Sequence, residues 1–205
     1  MRLYFKPGAC SLASRIVLIE LGRDFTAVSV DTDAGRTEDG RDYRAVNPRG
    51  YVPALELDDG RVITENPALL QYLGDLEPGL LTPPAGSWDR VRLQEALNFI
   101  SSELHKAFSP FFQGEATGDR LASAQAHLSR RVGEVERMLD GGSAYLLGDR
   151  MSVADVYLFV VLNWAGFIGF ELQDWPRVSD FMARMGERPS VQAALTQEGL
   201  LKAAA

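Results

Sequence analysis

Two clusters of residues that interrupt regular structure, Glu77-Pro78-Gly79 and Pro83-Pro84-Ala85-Gly86, divide this chain into parts with different hydrophobic rhythms. Before them, β-prone runs at Leu3 to Phe5, Thr26 to Val30, Ala54 to Leu57 and Arg61 to Ile63 alternate with helical patterns at Ser11 to Leu21 and Asn66 to Leu76. Strands joined through a helix can pair in parallel, whereas Asp58-Asp59-Gly60 joins its two strands as an antiparallel hairpin. Residues 1–78 are therefore expected to form an α+β domain with a mixed four-stranded sheet. After the breakers the strand signals fade, and residues 87–205 read as an all-α domain. Its helices are expected at Ser87 to Phe112, Asp119 to Asp140, Ser152 to Ala165, Arg177 to Gly186 and Ser190 to Leu200, with Pro110 ending or kinking the first. Met151-Ser152-Val153-Ala154-Asp155-Val156 has the pattern of a capping box with a hydrophobic staple, a structural device.

Composition narrows the function classes. With 46% apolar residues in 205, the chain can bury proper cores, yet it has no run long and apolar enough to span a bilayer. Met1-Arg2-Leu3-Tyr4-Phe5 lacks the long apolar region of a secretory signal, and the single cysteine cannot close an internal disulfide; both point to a reducing cytoplasm. A net charge of −7 argues against nucleic acid as a partner, because phosphate binding needs a basic footprint. The two histidines, His105 and His127, are far apart and no paired-cysteine or carboxylate-histidine cluster occurs, so no metal site is expected.

Four features carry possible chemistry. Cys10 follows a short strand and Pro7-Gly8 and precedes a helix. There, unpaired N–H groups and the positive helix end favour a thiolate, although a free cysteine is as often a small buried hydrophobe. Val52-Pro53 stands before a strand; a cis bond there leaves the Val52 backbone free to pair with a ligand, and an ordinary trans turn is the alternative. In Thr64-Glu65-Asn66-Pro67, Asn66 suits an N-cap and Pro67 the first helical position. Such a helix start can also hold a carboxylate while Glu65 holds an ammonium group, as the amino-acid end of a zwitterion requires. Asn98, Ser102 and His105 fall within about 60° of one another on one helix face, away from the Leu and Ile stripe. A solvated face looks the same, but an imidazole near a thiol can donate to the thiolate or take its proton.

The runs Pro7-Gly8-Ala9-Cys10-Ser11-Leu12, Asn47-Pro48-Arg49-Gly50-Tyr51-Val52-Pro53-Ala54-Leu55, Thr64-Glu65 and Ser102-Glu103-Leu104-His105-Lys106, in this order and spacing, resemble the bacterial cytosolic glutathione S-transferases of the beta class. The resemblance extends through Ala154-Asp155-Val156-Tyr157-Leu158-Phe159 and Glu187-Arg188-Pro189. It implies a thioredoxin-like N-terminal domain, an all-helical C-terminal domain, a cytoplasmic homodimer, and glutathione as co-substrate with no permanently bound cofactor. By the same resemblance, Val52 pairs its backbone with the cysteinyl part of glutathione ahead of a cis Pro53. Glu65 and Asn66 hold the γ-glutamyl end, Cys10 lies beside the glutathione sulfur, and Asn98 with Ser102, Glu103, Leu104 and His105 closes the site.

The expected activity is conjugation of the glutathione thiolate to a small apolar electrophile, with Cys10 and His105 as catalytic groups and Phe112 and Trp164 walling the electrophile pocket or else packing as core. Glutathione-dependent disulfide reduction or peroxidase chemistry through Cys10 is one alternative, and a non-catalytic carrier or interaction protein of the same fold is another. Two positions depart from the family. Its loop lysine that contacts glutathione is missing from Thr32-Asp33-Ala34-Gly35-Arg36, where Gly35 has no side chain and only Arg36 offers a partial substitute. Asn66 stands where Ser or Gly is common.

Overall fold

The structure is a computed structural model and describes residues 1–201; the last four residues of the expected second domain lie outside that range. The chain forms two compact units. The first is Met1–Pro78 together with the segment from Glu187, and the second is Gly79–Gly186.

In the first unit, β1 (Arg2–Phe5) is the middle strand of a five-stranded mixed sheet. It pairs in parallel with β2 (Thr26–Asp31), reached through α1 (Leu12–Glu20), and antiparallel with β4 (Ala54–Glu56). The hairpin to β5 (Val62–Thr64) turns at Gly60, whose φ of +83° no side chain favours. The four expected strands are joined by β3 (Arg36–Thr37), which pairs antiparallel with the end of β2. Two residues are too few for any alternation to register in sequence.

Alternation along β1 sends Tyr4 to one face, into a cluster with Val28, Val30, Tyr43 and Ala54. Leu3 and Phe5 point to the other face, where the Arg15 guanidinium of α1 lies 4.1 Å over the Phe5 ring. The sequence is followed by α2 (Asn66–Gly74), which packs on α1.

The chain closes this unit with α8 (Pro189–Gln197), also packed on α1. The breakers alone would assign everything after residue 87 to the helical domain; this last segment groups with the first unit instead. Charge explains the regrouping. Glu198 is buried, its carboxylate takes Arg15 Nε at 3.0 Å and the Gly8 N–H at 2.9 Å, and Arg15 Nη1 donates to Gln197 at 3.1 Å. Glu20 adds a second tie by accepting from Arg188 and the Ser190 hydroxyl.

The second unit is helical. Its core helix is α6 (Val153–Phe167), with 12 of 15 residues buried, so it has no solvated face and must be surrounded. Against it pack α3 (Trp88–Phe99) and α7 (Pro176–Gly186), α4 (His105–Phe112) meets it through the His105 and Phe108 rings on Trp164, and α5 (Asp119–Met138) packs on α4 and α7. The capping box forms as expected: Asp155 accepts the Ser152 N–H at 2.8 Å and hydroxyl at 2.7 Å, while its other oxygen takes the Leu146 N–H at 2.8 Å. Burial holds the Asp155 carboxyl above the usual range against these donors. The breaker segment 79–86 is fastened to this unit, since the Leu81 carbonyl accepts the Val153 N–H and the Pro83 carbonyl takes the buried Arg90 guanidinium. Among the described residues no helix is long and apolar enough to cross a membrane.

The helix expected over Ser87 to Phe112 forms as one helical run, Trp88 to Phe112, but its period is not uniform. Between α3 and α4 lies a single π turn, Ile100–Leu104, and Pro110 is accommodated inside α4. The wider turn inserts one residue into the register, so the facing of Ser102 and His105 relative to Asn98 departs from the 100° rule. Such turns recur at functional sites.

Candidate active site

Cys10 belongs to a tightly held loop. The Ser11 hydroxyl bridges the N–H and carbonyl of Lys6 at 3.3 Å each, the Ala9 N–H bonds the Lys6 carbonyl, and Gly8, at φ +73°, is tied to Glu198. The thiol lies before the N-cap, Ser11, and its hydrogen bond runs to the Val52 carbonyl at 3.4 Å. A thiol donating to a carbonyl carries its proton; a thiolate there would face the oxygen lone pairs. The helix terminus expected to stabilise a thiolate instead has its first N–H groups turned inward, with Leu12 and Ala13 donating to the Ala9 and Cys10 carbonyls.

Val52 sits on a second fixed loop. Its peptide bond to the buried Pro53 is cis, and the Tyr51 carbonyl just before it accepts from the Tyr43 hydroxyl and Asn47 Nδ2, both at 2.7 Å. Burial pushes the Tyr43 hydroxyl up to about 12, so it remains a donor at any physiological pH.

The start of α2 corrects the reading of Asn66 as its cap. Glu65 occupies the N-cap, at φ 68° and ψ 112°, a conformation rare for a residue with a side chain, and its exposed carboxylate pairs with Arg49 at 2.6 Å. Backbone outliers of this kind gather where a ligand is clamped. Asn66 is the first helical residue, and its buried side chain donates to the Cys10 carbonyl at 2.8 Å and accepts from Ser14 Oγ at 3.1 Å. Its role is to fix the cysteine loop against α2, leaving only its backbone N–H toward the helix end. Asn66→Ala strands those partners in a dry site and is expected to cost about 1–3 kcal/mol, read as a lower urea midpoint at unchanged slope.

In the second unit, His105 opens α4. Its Nδ1 is 2.8 Å from the Tyr157 hydroxyl, and its ring meets the Trp164 ring edge-on at 4.7 Å. Burial, helped by the charge of Lys106, pushes the imidazole down to about 4. A ring that takes up a proton only near pH 4 is a weak base, so of the two roles expected for it, hydrogen-bond donor is the one that fits. Phe112 is 52% exposed and stands edge-on against Trp164 at 5.6 Å, while Trp164 is itself 5% exposed; Phe112 is surface and Trp164 is wall. Of the remaining expected residues, Asn98 and Ser102 are exposed, with the Ser102 hydroxyl donating to the Asn98 carbonyl at 2.8 Å. Glu103 pairs with Arg131 at 2.9 Å, and Leu104 is fully buried core, so neither side chain is available as it stands. The clamp by Glu198, Gly8 and Arg15 has no motif in the sequence, and the only signal for it is that Glu198 is the single acidic residue after Pro189.

The family model for the glutathione S-transferase N-terminal domain matches residues 8–76, and that for the C-terminal domain matches residues 99–189. Glutathione S-transferase GstA of Escherichia coli O157:H7 is 46% identical over 201 residues, covering 98% of this chain and all of that one. The chain belongs to the glutathione S-transferase family. Its beta-class character, expected from the motifs, is borne out by a solved beta-class glutathione S-transferase from Sphingomonas chungbukensis, 42% identical with a TM-score of 0.93 over 98% of this chain and all of that one. A sphingomonad glutathione S-transferase complexed with glutathione is 43% identical, with a TM-score of 0.92 and the same coverage. The transferase fold therefore explains why the cysteine loop, Val52-Pro53 and the Glu65 helix start come together: all three sit at one end of the thioredoxin-like sheet.

Proposed function

We propose that the protein is a glutathione transferase that joins the glutathione sulfur to a small apolar electrophile. The observation that carries this reading is the Cys10 thiol poised 3.4 Å from the Val52 carbonyl, in a chain similar to named glutathione S-transferases over its length. Val52 offers its backbone to the cysteinyl residue of glutathione as an added antiparallel strand. Glu65 and the N–H groups opening α2, that of Asn66 included, receive the ammonium and carboxylate of the γ-glutamyl end.

The Cys10 proton, now given to Val52, turns to the glutathione sulfur and stabilises it as thiolate. By the family resemblance the second unit contributes neutral His105, held by Tyr157, as a hydrogen-bond donor, Asn98 and Ser102 as polar groups, and Phe112 backed by Trp164 as an apolar surface. The glutathione thiol loses its proton to solvent; with a chloronitrobenzene the thiolate then adds to the ring carbon, forming the C–S bond, and the C–Cl bond breaks to release chloride, so one HCl leaves per conjugate. Lowered thiol basicity plus positioning accounts for the acceleration. A cytoplasmic homodimer acting in detoxification is part of the same reading.

The test is conjugation of glutathione to 1-chloro-2,4-dinitrobenzene. Wild type is expected to accelerate it, and Cys10→Ala to lose about tenfold in kcat/KM, the worth of one hydrogen bond to a charged sulfur. A wild type that neither binds glutathione in calorimetry nor accelerates conjugation overturns the reading.

A further inference from the structure

The loops around Val52 carry five cations, and four are engaged. Lys6 Nζ donates to Thr32 Oγ1 at 3.0 Å and lies 3.7 Å from Asp33. Arg36 donates to the Gly40 carbonyl at 2.9 Å, Arg41 to Asp39 at 2.8 Å, and Arg49 to Glu65 at 2.6 Å. The guanidinium of Arg44 has no hydrogen bond or ion pair among the described residues; only its backbone N–H is bonded, to Asp42 at 3.0 Å.

Its position is nonetheless fixed through Tyr43. The Tyr43 N–H bonds the Gly35 carbonyl at 2.9 Å and its hydroxyl bonds the Tyr51 carbonyl at 2.7 Å, so this residue is held between the loop after β2 and the loop that presents Val52. Arg44, next in a single 3-10 turn, therefore lays its guanidinium across Gly35. A side-chain carbon there would stand 3.1 Å from Nη1 and 3.3 Å from Cζ, and one at Gly50 would stand 3.9 Å from Nε. Both glycines have positive φ, +67° and +71°, which disfavours a side chain at either, and at Gly35 the close guanidinium disfavours one further. Gly50 is two residues from Val52, a span of at most about 7 Å.

An exposed arginine is ordinary on its own. Here it is the unneutralised member of its group, lies on bare backbone, and stands over Gly50, two residues from the proposed pairing residue Val52. An extended tripeptide paired at Val52 and anchored at Glu65 by its γ-glutamyl end has one charge left, the glycyl carboxylate. We infer that Arg44 takes this carboxylate, in a chain whose loop has no side chain at Gly35 and whose Arg36 is turned to Gly40. The assignment rests on the proposed transferase reading. It makes Gly35 and Arg44 a matched pair: a side chain at 35 would press on the guanidinium and shift it from its place.

Steady-state kinetics with glutathione and with its glycyl ethyl ester, for wild type and Arg44→Gln, tests this. The variant is expected to raise KM for glutathione about tenfold at unchanged kcat, as loss of uniform binding does. The ester should cost wild type a similar factor and the variant less than about twofold more, since each change removes the same ion pair. Arg44→Lys should recover part of the affinity, because it restores charge without the planar fork. An unchanged KM in Arg44→Gln, or an ester penalty equally large in the variant, overturns the assignment while wild-type turnover leaves the transferase reading standing. A wild type that does not bind glutathione overturns both.

Discussion

Glu198→Ala is expected to destabilise the protein by about 3–5 kcal/mol, the usual consequence of leaving a buried charge without its counterion. Arg15 is 4% exposed as a side chain and Glu198 0%, so water cannot replace the lost carboxylate. The other oxygen of the same carboxylate holds the Gly8 N–H, so the loss should also loosen the cysteine loop. Burial alone raises the Glu198 carboxyl, and the Gly8 N–H and Arg15 work against that rise. Urea unfolding should show a lower midpoint at the same slope. The double variant Arg15→Met with Glu198→Leu should recover much of the loss, because a hydrophobic pair of similar volume leaves no charge to desolvate. A loss below about 1 kcal/mol in the single variant would mean that solvent reaches the pair.

Acid should weaken the fold through His105. Its imidazole is pushed from an ordinary 6.5 to about 4 by burial and by Lys106, so between those values the unfolded chain binds a proton that the folded chain does not. Stability contributed by this residue is therefore intact above about pH 6.5 and declines toward pH 4, by about 3 kcal/mol at the acid end. Asp155 and Glu198, both raised by burial, act in the opposite sense. They do so equally in a His105→Gln variant, so the comparison isolates the histidine. The unfolding free energies of wild type and variant should converge or cross as pH falls from 7 to 4.5. Parallel profiles over that range would place the imidazole in contact with solvent.

What the sequence reveals is what neighbours decide. Ser152 and Asp155 are three residues apart, and their cap forms as the spacing predicts; Gly60 turns its hairpin for the same local reason. The motif residues of the site are legible as candidates, but several have different duties. Asn66 reads as a cap because Asn-Pro is a favoured helix start. The cap falls to Glu65 instead, and Asn66 reaches the Cys10 carbonyl 56 positions away. Ser102 and His105 look co-facial only for a uniform α-helix, and nothing in Ile100-Ser101-Ser102-Glu103-Leu104 announces a wider turn. The partnership of Arg15 with Glu198 spans 183 positions, and no periodicity reports a contact of that range. Arg44 was invisible because its meaning depends on Gly35 having no side chain, a relation set by the Tyr43 hydrogen bonds.

The return of the C-terminal segment to the first unit has a consequence for how the protein is made. Gly8 emerges from the ribosome 190 residues ahead of the carboxylate that fixes it, a delay of roughly 10–40 s at ordinary elongation rates. All of the inserted helical unit is translated within that interval. The half of the molecule that begins first is thus the last to be finished, and a message truncated at residue 186 would yield a complete helical unit attached to a sheet whose cysteine loop has lost its clasp.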